Sequence, residues 1–140
     1  MVKQQGLGMI ELMVTVVIVG ILAVIAYPNY KKYRIETNRQ DVQAELLRIA
    51  TELQKIRVVD HSYQHATLTK AKASATYPSN DALYTIALTL DADKLGYVLV
   101  ATPINSKLQA GDGIMCLNHL GQRYWAKAAT TCQLSSTSAW

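Results

Sequence analysis

Residues 7–27 read LGMIELMVTVVIVGILAVIAY, a stretch in which Glu11 is the single charged side chain. An α-helix rises about 1.5 Å per residue, so a helix of this length spans about 31 Å, close to the thickness of a bilayer core. The stretch is apolar on every side apart from Glu11 and Thr15. It therefore predicts a membrane-spanning helix rather than a helix buried in a soluble core.

A cleaved secretory signal peptide is the competing interpretation of this segment. Val24-Ile25-Ala26 would supply a cleavage site of small residues. However, only Lys3 precedes the apolar region, Glu11 lies inside it, and a helical pattern continues beyond the would-be cut. We therefore expect the segment to stay attached to the rest of the chain.

An acidic side chain in an apolar helix requires a partner, and the natural partner is a cation. The stretch 7–27 contains none, so the partner of Glu11 must come from another copy of the chain. A protease that cut after Gly6 would leave a free amine on Leu7. That amine and the Glu11 of a neighbouring copy would neutralise each other.

The stretch 3–14, KQQGLGMIELMV, resembles the class III signal of type IV pilins. The family pattern is a short hydrophilic leader that ends in Gly, then a cut, then a Glu five residues on. Further positions where pilins carry the same residue types are Gly20, Pro28, Tyr30 and Tyr33. The resemblance covers residues 5–33, with two departures: Leu7 stands where Phe is usual, and Gly8 where Thr is frequent.

This resemblance implies processing and assembly roles for three residues. Prepilin peptidase would cut after Gly6 and N-methylate the new terminus at Leu7. Glu11 would then align an incoming subunit by pairing with the terminal amine of a neighbour. We expect a leader over 1–6, a membrane and filament-core helix over 7–28, and a globular head over 29–140.

Apolar residues at helical spacing continue past the membrane segment and predict an amphipathic half of the same helix, ending near residue 60. Pro28 should kink this helix rather than end it, because the periodicity resumes after it. The charged residues lie mostly off the stripe, with surface pairs at Glu45/Arg48 and Glu52/Lys55. The stripe itself consists of Ile35, Val42, Leu46, Ile49, Leu53 and Ile56.

Residues 61–82 are polar and predict a loop with a short helical turn around Leu68–Ala75. Alternating apolar residues then predict four antiparallel strands, which together span 83–126. Such a small sheet needs a helix on one face, so the predicted fold is α+β, a long helix packed on a four-stranded antiparallel meander. The predicted strands are Leu83–Leu90, Leu95–Thr102, Ile114–Asn118 and Gln122–Ala126.

Cys116 and Cys132 are either a disulfide pair or two buried thiols. The pilin resemblance implies a disulfide, because a C-terminal cysteine pair in that family bounds a variable surface loop called the D-region. Here the bounded region is 116–132. Four of its residues combine positive charge with aromatic rings, as DNA binders do, although a half-buried strand with a solvated edge gives the same pattern. They are Arg123, Tyr124, Trp125 and Lys127.

The remaining features argue against catalysis and against bound cofactors. The net charge of +4 is too mild to indicate nucleic-acid binding by itself. His61 and His65 lack a third ligand for zinc, and Asp91 and Asp93 lack the rest of a calcium loop. Nucleotide-binding and hydrolase motifs are absent from the sequence. We expect no enzymatic activity, no metal and no cofactor.

The sequence thus predicts a structural protein, and the resemblance makes it a type IV pilus subunit. The stretch from Pro103 to Arg123 is most similar to PilE-like minor pilins, so a minor pilin is expected, in a filament for adhesion, twitching motility or DNA uptake. Expected partners are other pilins through the N-terminal helix, the inner membrane, prepilin peptidase, the assembly machinery and DNA. Alternatives are a DNA-binding pilin of a natural-transformation pilus and a type II secretion pseudopilin.

The predicted topology combines two opposing signals. Lys31, Lys32 and Arg34 follow the apolar segment, which on the positive-inside rule places the C-terminal side in the cytoplasm. The resemblance places the head outside, and a cysteine pair without a metal motif also suits an oxidising compartment. We expect a single inner-membrane span with a periplasmic head, which later joins an extracellular pilus.

Overall fold

The computed structural model describes residues 8–140, so the predicted leader, Gly6 and Leu7 lie outside the described residues. The chain forms two compact units, one that ends at Glu36 and a head unit over Thr37–Trp140. The elements in chain order are helix α1 (Met9–Asp60) and strands β1 (Thr76–Tyr77), β2 (Tyr84–Leu90), β3 (Tyr97–Pro103), β4 (Met115–Asn118) and β5 (Arg123–Trp125).

The N-terminal unit is helical from Met9 onward, and the large apolar side chains of residues 9–33 are exposed. The helix continues through Pro28, as the resumed periodicity predicted. This part of α1 is long and apolar enough to cross a membrane, and none of the apolar window is buried inside the protein. These properties agree with the predicted anchor.

In the head unit, the apolar stripe of α1 packs into the core with the sheet. Val42, Leu46, Ile49 and Leu53 are fully buried, at the spacing of one helix face. The predicted end of the helix near residue 60 is confirmed, since α1 ends at Asp60. The stripe therefore stabilises the head by covering the sheet, as expected.

The sheet has five antiparallel strands in sequence order, so the prediction of four was one strand short. The additional strand, β1, pairs Thr76 with Thr85 and Tyr77 with Tyr84. Two residues are too few to show an alternating pattern, so this strand was included in the loop predicted over 61–82. The four predicted strands are present, and none of their ends is shifted by more than two residues.

Side chains on the sheet divide between an inward face, which meets α1, and an outward face. The cross-strand row Ile86, Ala101, Met115 and Trp125 belongs to the inward face. The next row alternates to the outward face and consists of Ala87, Val100, Cys116 and Tyr124. This division decides which D-region residues share a surface.

The segment between α1 and the sheet has a hydrogen-bonded turn at residues 68–72, where a short helical turn was predicted, and the Ala71 N–H donates to the Thr67 oxygen at 3.0 Å. Arg48 ties this turn to α1, because its guanidinium donates to the carbonyl oxygens of Ala71 and Lys72 at 3.4 and 3.1 Å. The same guanidinium pairs with Glu45 at 2.6 Å, which is one of the surface pairs predicted from the sequence. Both predicted pairs are present, since Lys55 contacts Glu52 at 2.6 Å.

Candidate assembly and DNA-contact sites

Glu11 lies in the first turn of α1 and contacts the start of its own helix. Its Oε2 accepts a hydrogen bond from the backbone N–H of Gly8 at 3.0 Å. Gly8 precedes the first helical residue, so Glu11 satisfies one of the amides that a helix N-terminus leaves without an intrahelical partner. We expected no partner within the lone subunit, and this amide corrects that expectation. The amide is a neutral donor, so it does not take the place of the cation expected from a neighbouring copy.

Cys116 and Cys132 form a disulfide with a Cα–Cα separation of 6.0 Å. Cys116 is buried on β4, and its partner lies in the irregular segment after β5. Because Cys116 belongs to the outward row, the bond holds the C-terminal segment against the outward face of the sheet. The structure thus has a disulfide and not the alternative of two buried thiols.

The four predicted DNA-contact residues do not form one surface. Arg123 and Trp125 occupy alternate positions on β5 and share the inward side, whereas Tyr124 belongs to the outward row. Lys127 follows the strand and is exposed, as is Arg123. The guanidinium of Arg123 lies 5.7 Å from the ring centre of Trp140. Arg123 and Lys127 are therefore the accessible cations of the group.

Trp125 is a structural residue in this arrangement. Its indole Nε1 donates to the backbone oxygen of Asp112 at 3.0 Å, and the Arg39 guanidinium lies 3.9 Å from the centre of its ring. A cation over the face of an indole is held by the ring quadrupole. The ring is thus engaged with α1 and with the loop before β4, so it is less available to stack on a DNA base.

Asp112 joins α1 to the sheet through a polar network that the sequence did not reveal. Its carboxylate accepts two bonds from Arg39, at 2.7 and 3.0 Å, and one from the Tyr84 hydroxyl at 3.1 Å. Gln109 donates to the same hydroxyl and accepts from Asn38. Burial raises the pKa of Tyr84 well above its ordinary value, so its hydroxyl stays protonated and can donate.

Net positive charge remains at the C-terminal end of the head. Arg123 and Lys127 are the only residues of the types Asp, Glu, Lys and Arg from Gly113 to Trp140. The nearest carboxylate before them in the chain, that of Asp112, is neutralised by Arg39. An anion that approaches this region meets exposed cations on a stretch of chain that carries no acidic side chain of its own.

Comparison with known proteins identifies two family patterns in the chain. Residues 28–120 match the family described as type IV minor pilin ComP, DNA uptake sequence receptor. Residues 1–27 match the prokaryotic N-terminal methylation motif. The first match ends before Arg123, so the predicted DNA-contact residues lie beyond it.

Individual relatives agree with these patterns. The chain is 36% identical over 80 residues to the type IV major pilin protein PilE of Neisseria gonorrhoeae, a match that covers 57% of this chain and 45% of that protein. The chain thus spans less than half the length of this relative. A solved type IV pilin from Shewanella oneidensis superposes with a TM-score of 0.52 at 27% identity, and the match covers 71% of this chain and 97% of the other.

Proposed function

Since this chain belongs to the family of type IV minor pilins, the structural subunits of type IV pili, we propose that it is a minor subunit that contacts DNA. The contact surface is the C-terminal end of the head, and its charges are those of Arg123 and Lys127. The observation that carries this proposal is that both cations are exposed in a region, 113–140, that contains no Asp or Glu. The family is that of a DNA uptake sequence receptor, which supports the same function.

Contacts of this kind bind the DNA backbone and carry little sequence information. Each cation that neutralises a phosphate releases a condensed counterion, so affinity falls as salt concentration rises. Two cations alone give weak binding, which suits a subunit that captures DNA transiently on a filament. Sequence preference would require further contacts to base edges.

Binding of duplex DNA by the full chain in detergent micelles tests the proposal. The double variant Arg123→Gln/Lys127→Gln should bind more weakly at every salt concentration. The slope of log affinity against log salt should fall by about one for each cation removed. The matched control is Lys70→Gln/Lys94→Gln, which removes two exposed cations elsewhere on the head. An equal loss of binding in the control would refute the assignment of the surface.

We also propose the cellular route that the anchor and the methylation motif support. Prepilin peptidase cuts between Gly6 and Leu7, the apolar part of α1 spans the inner membrane, and the head lies in the periplasm until the assembly machinery extracts the subunit. Glu11 then pairs with the terminal amine of a neighbouring pilin. Intact-mass analysis of membrane-extracted protein tests the first step. A chain that begins at Tyr27 would instead identify a conventional signal peptide.

Copy number tests the assignment as a minor subunit. Quantitative mass spectrometry of sheared filaments should find this chain at a small fraction of the most abundant pilin. A chain that dominates the filament would be a major pilin. The DNA-binding experiment keeps its meaning in either case, because it concerns the head and not the stoichiometry.

A further inference from the structure

A cavity of about 300 Å³ opens in the head at the C-terminal end of β3. Its volume is at the lower end of the range of roughly 300–1,000 Å³ found for small-molecule sites. Three segments form it: the end of β3, the loop before β4, and the segment after β5. The lining residues are Val100, Thr102, Pro103, Asn105, Gly111, Gly113, Ile114, Ala128, Ala129 and Thr130.

The wall formed by residues 128–130 is fixed in place. The Ile114 N–H donates to the Ala129 oxygen at 2.9 Å, and the Cys116–Cys132 disulfide holds the chain just beyond. Gly113 has a φ of +95°, and a Cβ there would collide with the backbone of Ala126 and its neighbours. A glycine is therefore required for this close approach, and the cavity is a built feature of the fold.

The lining combines an apolar floor with a polar rim and carries no charge. Val100, Pro103 and Ile114 are apolar, whereas the hydroxyl- and amide-bearing Thr102, Asn105 and Thr130 are exposed. A ligand that fits this chemistry has an apolar face and hydrogen-bonding edges and is itself neutral. A nucleobase has these properties.

The surroundings of the cavity add positive charge. Exposed Lys127 directly precedes Ala128 of the wall. The carboxylate of Asp112, between two lining glycines, is instead engaged with Arg39. Tyr124 does not line the cavity, since Cys116 separates it from Val100 in their cross-strand row. An uncharged cavity whose wall is preceded by an exposed cation matches a base joined to a phosphate.

We propose that this cavity receives one unpaired base of single-stranded DNA, whose backbone phosphates lie along the Lys127 side. The proposal rests on the DNA contact proposed above and adds a base-binding site to it. Base-containing DNA should therefore bind more tightly than a strand of equal charge without bases. A duplex, whose bases are paired and stacked, offers the cavity no ligand.

The test compares a short oligothymidylate with an abasic oligonucleotide of the same length, both bound to the full chain in detergent micelles. The parent should prefer the base-containing strand about fivefold or more, because contact with one base contributes on that order. Thr102→Leu adds apolar bulk at the cavity and should abolish the preference. Asn105→Ala removes a rim amide and should reduce it.

Thr89→Leu is the matched control, because Thr89 is exposed on the outward face of β2 and does not line the cavity. This variant should keep the parental preference. Tryptophan fluorescence, which reports Trp125 and Trp140, verifies that all variants are folded.

The possible failures are distinguishable. Equal binding of the two oligonucleotides by the parent would overturn the base site and leave the phosphate contact standing. Absence of binding to any DNA would overturn the proposed function itself. If Thr102→Leu left DNA binding unchanged but lowered incorporation into filaments, the cavity would be a contact between subunits, and the base site would be wrong.

Discussion

Asp112 is a buried loop residue that joins α1 to the sheet. Its side chain is 4% exposed and its carboxylate accepts bonds from Arg39 and Tyr84, while its backbone oxygen holds Trp125. Asp112→Ala removes the carboxylate that accepts two bonds from Arg39 in a largely buried site. We expect a loss of about 3–5 kcal/mol in the free energy of unfolding, the range for breaking one side of a buried pair. Urea titration followed by tryptophan fluorescence measures it.

An exposed ion pair provides the comparison for this prediction. Lys107 contacts Asp81 at 2.7 Å, with side chains 43% and 74% exposed. Water and salt screen such a pair, so Lys107→Ala should cost about 0–1 kcal/mol. Similar losses for the two variants would mean that the Asp112 network adds little to stability.

The buried phenol of Tyr97 makes the free energy of unfolding depend on pH in the alkaline range. Burial raises the pKa of its phenol to about 12, whereas an exposed tyrosine titrates near 10. Between these values the unfolded chain loses the proton and the native state keeps it, so stability falls as pH rises. Tyr97→Phe should reduce that fall by up to about 1.4 kcal/mol per pH unit. Urea titrations between pH 9 and about 12 test this, and parallel curves for parent and variant would contradict it.

At the level of elements, the disulfide fastens an otherwise irregular C-terminal segment to β4. The bond closes a loop with a sequence separation of 16 residues. Loops of this size are associated with about 3 kcal/mol of stabilisation in the chain-entropy treatment. Reduction should lower the urea midpoint accordingly, with Cys116→Ser/Cys132→Ser as the variant that is insensitive to reductant. Peptide mapping without reduction should recover the linked pair, and two alkylatable thiols would refute the prediction.

The periodic elements were predictable and the irregular ones were not. Val42, Leu46, Ile49 and Leu53 repeat at helical spacing, so their burial followed from the sequence. β1 was missed because its two residues owe their strand conformation to pairing with β2, which local sequence does not encode. Alternation along a strand also places Arg123 and Tyr124 on opposite faces, so neighbours in sequence do not form one binding surface.

Polar contacts between residues far apart in the chain could not be predicted from the sequence either. Arg39 and Asp112 lie 73 positions apart, and the charged residues of α1 were expected mostly off its buried stripe. Its partner sits in a loop between two glycines, where an acid normally indicates a turn. The cavity has the same origin, since three segments distant in sequence form it. Folding topology, not local pattern, creates both sites.

For the molecule as a subunit of a filament, Glu11 has two separable roles. One is local, because its carboxylate accepts from the Gly8 amide at the start of α1. The other is proposed, namely pairing with the terminal amine of a neighbouring copy. Glu11→Gln keeps an acceptor for the amide and removes the charge, whereas Glu11→Val removes both. The two variants therefore distinguish a helix cap from an intermolecular ion pair.

We expect both Glu11→Val and Glu11→Gln to enter pili poorly, because only the charged carboxylate attracts a terminal amine at membrane depth. Both should remain membrane-inserted and folded, since an uncharged residue removes the cost of placing a carboxylate in the bilayer. The measurement is the ratio of sheared-filament to membrane-bound protein, with head folding followed by the fluorescence of Trp125 and Trp140.

If Glu11→Gln entered pili normally and Glu11→Val did not, assembly would depend on the hydrogen bond to the Gly8 amide rather than on the charge of Glu11. Normal incorporation of both would place the assembly signal in the head, and depletion of the membrane-bound pool would show that Glu11 acts in insertion.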